Sequence, residues 1–231
     1  MVNFLKSSST RRVSDEKRCE EECKEYYYKG EIGNYNNGNG GVSSSTCTSL
    51  TVWRKSLLMS CSGFTVIDCK GNLVYRVDNY RGKPSEVVLM DASGTSLFTM
   101  RRYKTLRLVD DWMIYKGEAS EQDPKTCQKK QPICYVKKNV NFLQSNSNVL
   151  AHVYLGTSSK SPTFVIQGSY GQRSCKVFDN SSKNVVAEIK RKEAVNGCAS
   201  FGLEVFHLIV CSGLDSGFAM TLVMLLDQMF S

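Results

Sequence analysis

The amino-acid sequence predicts a mainly β domain that encloses an apolar helix. From Leu50 onward, apolar and polar residues alternate in short runs separated by turn residues, a pattern typical of a β-sandwich or barrel. Residues 214–229 are apolar on every side at helical spacing, which indicates a helix surrounded by protein. Since no amphipathic helices separate the strand-like runs, a parallel α/β fold is not expected.

The first 46 residues are predicted to form a disordered or weakly helical tail. They contain a serine run, a mixed-charge stretch and an Asn- and Gly-rich sequence, with few residues that could build a core. A helix over 14–28, capped by Ser14, is the alternative to full disorder. Residues 47–231 are the predicted folded domain. The start of the chain lacks the apolar core of a signal peptide, so a cytoplasmic location is expected.

Two hairpins begin the predicted set of strands. The first covers 64–77 around a Lys-Gly-Asn turn at 70–72, with Leu73, Tyr75 and Val77 on one face, and the second turns at 91–94. Further strands are predicted over 105–109, 112–118, 133–138, 149–155, 163–169, 174–179, 185–190 and 203–210.

The C-terminal apolar segment is predicted to be a core helix. A turn at 211–213 separates it from the last strand, and Asp215 and Asp227 bound its uncharged run. That run is about half of the ~20 apolar residues that a membrane span needs, so no transmembrane span is expected; a membrane tail anchor is the alternative. The predicted core positions are Phe218, Leu222, Val223, Leu225, Leu226 and Met229.

Motifs that carry catalytic or metal chemistry are missing from the sequence. The 10 cysteines include no C-x-x-C pair, so they are expected to be reduced thiols that pack as small apolar side chains. The two histidines, His152 and His207, lie in strand-like runs and are expected to be core or edge residues. No nucleophile elbow, phosphate-binding loop or EF-hand occurs. No enzyme, cofactor or metal site is therefore expected.

The formal net charge of +8 lies entirely within the predicted domain, because residues 1–50 hold seven basic and seven acidic residues. A domain of this polarity attracts anionic partners such as phospholipid head groups, nucleic acid or acidic proteins. The basic clusters of this domain, the pairs at 129–130 and 137–138 among them, can equally serve solubility and sheet-edge protection. The candidate contacts to anionic lipid are Arg54, Lys55, Arg101, Arg102, Lys104, Arg107, Lys190, Arg191 and Lys192.

Several segments, in order, resemble the LURP-one-related family of plants. They are residues 50–77, 88–102, the Asp111-Trp112 step with YKGE after it, 168–179, 185–192 and 214–229. This family is similar in fold to the tubby C-terminal domain and to phospholipid scramblases. The resemblance covers about 47–229 and implies a closed antiparallel barrel of about twelve strands, threaded by the C-terminal helix.

The resemblance implies less about function. Some members of the family are linked to basal defence, and tubby domains bind phosphoinositides through basic residues, although none of those residues can be matched here position by position. We therefore expect a monomeric, non-enzymatic regulator that binds anionic membrane lipid or phosphoinositide, at the plasma membrane or in the nucleus as well as in the cytoplasm. The alternatives are a DNA-associated or membrane-tethered transcription regulator and a protein-interaction scaffold. Scramblase activity is not expected, since nothing resembles a calcium-binding loop.

Overall fold

Twelve strands and a C-terminal helix make up the described part of the chain. In the computed structural model, the described residues are 47–58, 61–78, 85–104, 110–119, 130–140, 148–156, 160–192 and 202–231. The strands are β1 (Cys47–Trp53), β2 (Phe64–Ile67), β3 (Leu73–Val77), β4 (Glu86–Asp91), β5 (Ser96–Lys104), β6 (Asp110–Lys116), β7 (Cys134–Lys138), β8 (Val149–Leu155), β9 (Phe164–Ser169), β10 (Ser174–Asp179), β11 (Val185–Arg191) and β12 (Val205–Cys211). The helix α1 spans Ser216–Phe230.

The strands form a closed antiparallel barrel in which each strand pairs with the next along the chain, and β1 pairs with β12. Closure therefore joins the first and last strands, and we call this β1–β12 contact the seam. Odd-numbered strands all finish at one end of the barrel, which we call the far end. The other end, where β12 finishes and α1 begins, is the entry end. The mainly β, closed-barrel fold that the resemblance implied is confirmed.

The helix runs through the barrel from the entry end to the far end. At its start, Asp215 accepts a hydrogen bond from the backbone N of Phe218 at 2.7 Å, which caps the first turn. The Phe218 ring packs against Phe98 of β5 and Phe164 of β9. At the other end, Lys138 of β7 donates to the backbone O of Met229 at 2.6 Å. The Ser216 hydroxyl also shares a hydrogen bond with that of Tyr75 on β3, which lies across the barrel from β9. Strands on opposite sides of the barrel thus contact one helix, which explains why it is apolar all round.

Most of the predicted core positions of the helix are buried, and the ends of the helix differ from the prediction. Residues 217–227 are buried, including five of the six predicted core positions, and Met229 is half-buried. The helix begins at Ser216 rather than at 214, because Asp215 takes the capping position. Asp227 does not bound the apolar run from outside; it lies within the helix and is buried.

Most predicted strands agree with the structure to within two residues at each end. The predicted strand over 105–109 and the predicted tail over 1–46 lie outside the described residues, and the domain boundary at residue 47 stays a prediction. β6 begins at Asp110, two residues before the predicted start at 112, because Asp110 and Asp111 pair in register with Lys104 and Tyr103 of β5.

The turns at the entry end are closed by aspartate side chains. Asp68, Asp91 and Asp179 each accept hydrogen bonds from backbone N atoms two to four residues later in the chain. The hydrogen bonds from Ser181 and Ser182 lower the pKa of Asp179 to about 2. These carboxylates consequently stay charged at neutral pH and balance the lysines of the same end.

Candidate anion-binding surface at the far end of the barrel

The predicted basic residues are brought to one end of the barrel by the direction of their strands. β1, β5 and β11 all finish at the far end. The candidate basic residues lie among the last residues of these strands or just beyond them. Only the backbone of Lys104 is described, and Arg107 lies outside the described residues. The described turns of the entry end carry both signs of charge, with Asp68, Asp91 and Asp179 beside Lys70 and Lys183.

The far end holds the basic residues in two groups rather than in one patch. β11 and β1 flank β12, so Arg54, Lys55 and the run 190–192 lie together at the seam. Arg101 and Arg102 lie on β5, which is four strand positions from β1 around the barrel. A single ligand the size of a lipid head group therefore meets one group or the other.

Exposed apolar side chains coincide with the basic group at the seam. Trp53, at the end of β1, and the following Leu57 and Leu58 are each more than two-fifths exposed, and Leu203 before β12 is 40% exposed. The Lys55 ammonium lies 5.3 Å from the centre of the Trp53 ring. We call this area the seam surface; it comprises Trp53, Lys55, Leu57, Leu58, Lys190, Arg191, Lys192 and Leu203.

Ion pairs with acidic side chains hold Arg101, Lys190 and Arg54. Arg101 forms an ion pair with Glu86 across β4 and β5. Lys190 lies 3.1 Å from Glu188 on the same strand. Arg54 lies 3.1 Å from Asp227 and 3.7 Å from Glu204. Burial lowers the pKa of Arg54, but the charges of Asp227 and Glu204 raise it by more, so this guanidinium is held firmly in its charged form.

The Arg54–Asp227 pair belongs to a buried polar network that the sequence did not reveal. The Asp227 carboxylate also accepts hydrogen bonds from the Tyr170 hydroxyl at 3.0 Å and from the Ser231 hydroxyl at 2.8 Å. It sits near the C-terminus of α1, where the helix dipole disfavours negative charge. Arg54 supplies the compensating charge, so its role is to hold the end of the helix against the barrel.

Arg173 extends this network through aromatic contacts. It is buried, and its guanidinium lies 4.2 Å from the centre of the Tyr170 ring and 4.6 Å from that of Phe206. Its Nε donates to the backbone O of Leu203 at 2.8 Å. The stacked guanidinium therefore fixes the segment before β12. The left-handed φ of Arg173, 52°, is unusual for arginine.

Within the described ranges, no group of three or more His, Cys, Asp or Glu side chains is placed to hold a metal ion. In the same part of the chain, no helix combines the length and the apolar character needed to cross a bilayer. The chemistry that the far end does offer is electrostatic and apolar binding.

The buried His207 predicts a loss of stability in mild acid. It lies on β12 opposite Lys190 and is 8% exposed. Burial, assisted by the charge of Lys192, lowers its pKa from 6.5 to about 4. Since the unfolded state then binds the proton more readily, the contribution of His207 to the free energy of unfolding is fully present only above its unfolded pKa of 6.5. It falls as the pH decreases to about 4, by up to about 3 kcal/mol.

Urea unfolding between pH 7.5 and 4 measures this effect. We expect His207→Gln to remove most of the slope in this window and His152→Gln, on a half-exposed residue, to keep most of it. The contribution of Asp179 is lost mainly below this window, between its unfolded pKa of 3.8 and its folded pKa of about 2. An unchanged slope in His207→Gln would show that other groups cause the acid sensitivity.

Comparison with known proteins gives a consistent set of relatives. The family model described as LURP-one-related matches residues 48–227. Protein LURP-one-related 17 of Arabidopsis thaliana is 51% identical over 188 residues, covering 80% of this chain and 84% of that protein. Protein LURP-one-related 8 of the same plant is 49% identical over 183 residues, covering 78% and 86%. An X-ray structure of an Arabidopsis thaliana protein matches with a TM-score of 0.54 and 26% identity, over 78% of this chain and 90% of that one.

Proposed function

Because the chain belongs to the LURP-one-related family, we propose that it is a non-enzymatic module that docks its seam surface on membranes containing anionic phospholipid or phosphoinositide. The observation that carries this proposal is the mixture of side chains at the seam surface. Basic residues lie there among exposed leucines and a tryptophan. Surfaces that bind membrane interfaces have this mixture of residue types.

The two kinds of side chain act on different layers of the bilayer. Lys55, Arg191 and Lys192 can approach lipid phosphates, and each basic residue near an anionic surface contributes about 1 kcal/mol. Leu57 and Leu58, beyond the end of β1, can enter the acyl region, where burial of a leucine side chain contributes about 1.5–3 kcal/mol. Trp53 lies at the junction between these layers, where tryptophan is enriched.

The apolar residues favour a membrane over nucleic acid as the partner. A DNA backbone offers phosphates to the lysines and arginines, but it offers no apolar layer to cover Leu57 and Leu58. The described helix is enclosed by the barrel, so it is not available as a recognition helix in a DNA groove. The barrel lumen is occupied by the same helix, so binding is expected on the outside of the molecule.

Vesicle flotation tests the proposal. We expect the purified chain to float with phosphatidylcholine vesicles that contain phosphatidylserine or a phosphoinositide, at about 0.1 M salt, and to stay in solution with phosphatidylcholine alone. The triple variant Lys55→Ala, Arg191→Ala, Lys192→Ala should bind about a hundredfold more weakly, from three contributions of about 1 kcal/mol. Arg54 is left unchanged because it stabilises the fold.

A matched control removes the same number of charges from the entry end. Lys70→Ala, Lys116→Ala, Lys160→Ala changes three exposed lysines there and should leave flotation close to that of the unmodified chain. Equal binding to neutral and anionic vesicles, or equal losses in the two triple variants, would contradict docking by the seam surface. Stronger binding to duplex DNA than to anionic vesicles, lost with rising salt, would favour the nucleic-acid alternative.

The remaining expectations are part of the same proposal. A role in plant defence, a cytoplasmic location with access to the plasma membrane, and a monomeric state are supported by the family resemblance and by the kind of partner that the seam surface suits. Phosphoinositide specificity rests on similarity of fold to tubby domains, and comparing phosphatidylserine with phosphoinositide vesicles tests it directly.

A further inference from the structure

A pair of cysteines lies at the entry end of the seam. Cys47 is the first residue of β1 and Cys211 is the last residue of β12, and the two are direct cross-strand partners in the register of the barrel. Their sulfur atoms are 2.8 Å apart. Both side chains are half-buried, so a small oxidant can reach them. Cys134 and Cys175, by contrast, are buried in the barrel wall on β7 and β10.

We propose that Cys47 and Cys211 form a reversible disulfide that cross-links β1 and β12 at the barrel seam under oxidising conditions. Directly opposed residues on antiparallel strands have Cβ atoms ~4.5–5.5 Å apart, and a disulfide needs about 3.5–4.5 Å, so a small movement at two strand ends is sufficient. This inference does not depend on membrane binding, because the pair lies at the end of the barrel opposite the seam surface.

The reaction balances with hydrogen peroxide as the oxidant. The thiolate of one cysteine attacks one peroxide oxygen; an S–O bond forms, the O–O bond breaks, and the released hydroxide takes up a proton to give water. The sulfur of the other cysteine then attacks the sulfenic sulfur, loses its proton and displaces a second water. Two thiols are oxidised by two electrons in total, and the peroxide is reduced to two water molecules.

The environment of the pair sets the speed of these steps. Burial, together with the neighbouring Cys47 sulfur, raises the pKa of Cys211 to about 12, so the thiolate of Cys211 is scarce at neutral pH. Oxidation of the pair should therefore be slow compared with that of dedicated peroxide sensors, whose thiols have a low pKa.

The position of the pair gives the disulfide a structural consequence. It joins residues 164 positions apart in the chain and so restricts the unfolded state strongly. It also fixes the strand end from which the chain turns into α1, since the backbone N of Leu214 donates to the backbone O of Cys211. Oxidation should therefore raise the melting temperature by about 10 °C.

Mass spectrometry of the full chain tests the pairing. The protein is equilibrated with hydrogen peroxide or with oxidised glutathione, the remaining thiols are alkylated, and the digested peptides are analysed with and without reduction. We expect a peptide pair linked through Cys47 and Cys211 that separates on reduction. Recovery of both cysteines in alkylated form, or linkage of either one to another cysteine, would overturn the proposal.

Thermal unfolding gives the second readout. The oxidised chain should lose about 10 °C in melting temperature when a dithiol reductant is added, and Cys211→Ser should show no such response. The control Cys69→Ser changes an exposed cysteine in the β2–β3 turn and should respond like the unmodified chain. If Cys211→Ser fails to fold, the peptide analysis of the unmodified chain still decides the pairing.

Discussion

Leu222→Asp is expected to abolish folding of the domain. Leu222 lies in the middle of α1, is 1% exposed, and is enclosed by the barrel wall, so an aspartate there has no path to solvent. An unpaired charge in such a position destabilises the fold by several kcal/mol, which is comparable to the whole stability of a typical domain. Soluble yield and the cooperative transition seen by circular dichroism measure the result.

Two variants calibrate this prediction. Leu203→Asp introduces the same charge at a leucine that is 40% exposed, and we expect a folded protein with nearly unchanged stability. Leu222→Ala leaves a cavity without a charge and should lower the free energy of unfolding by about 2–5 kcal/mol. A soluble Leu222→Asp protein with a normal melting transition would mean that the helix is not enclosed.

Arg54→Ala is expected to destabilise the domain more than Asp227→Asn, although both remove the same ion pair. The side chain of Asp227 is 1% exposed, whereas that of Arg54 is 34% exposed. Without Arg54 the carboxylate stays buried near the C-terminus of α1, with only the hydroxyls of Tyr170 and Ser231 as partners, at a cost of about 3 kcal/mol. In Asp227→Asn the carboxylate charge is gone and Arg54 can turn to solvent. The free energy of unfolding should then fall by only about 1 kcal/mol.

Chemical denaturation of the single and double variants checks this asymmetry. The double variant should resemble Asp227→Asn, because the neutral amide no longer needs the guanidinium. Arg101→Ala breaks the exposed pair with Glu86 and should change stability by less than about 1 kcal/mol. Equal effects of Arg54→Ala and Asp227→Asn would show that the carboxylate reaches water by another route.

The parts of the fold that depend on local pattern were predictable from the sequence. Alternation placed most of the strands, the Lys-Gly-Asn and Asp-Ala-Ser-Gly turns placed two hairpins, and the all-round apolar character placed the helix in the core. Barrel closure depends on the pairing of β1 with β12, which are far apart in the sequence, so no local pattern reveals it. The resemblance to a family supplied that part of the prediction.

The candidate surface was predictable in its residue types but not in its grouping. Lysines and arginines at strand ends were visible, but whether 54–55 lies beside 190–192 or beside 101–102 depends on strand order. Closure of the barrel at the seam places 54–55 beside 190–192. The run 101–102 lies on β5, four strand positions from β1. The buried contact of Arg54 with Asp227 was hidden for the same reason, since the two residues meet only when the helix end reaches the far end of the barrel.

The position of the helix inside a closed wall constrains the order in which this protein can fold. Neighbouring strands from β1 to β11 can pair as they are synthesised, but the seam needs β12, and α1 is the last segment of the chain described. A barrel that had already closed could not be threaded, so the sheet must wrap around α1. Contacts between such distant parts of a chain form slowly.

Until that step, the nascent sheet exposes its apolar inner face and two unpaired edges. Such surfaces bind chaperones and promote aggregation, so emergence of α1 from the ribosome becomes the event that permits folding. A chain truncated before Ser216 keeps the twelve described strands but lacks the helix that they enclose. We expect it to remain bound to chaperones or to aggregate.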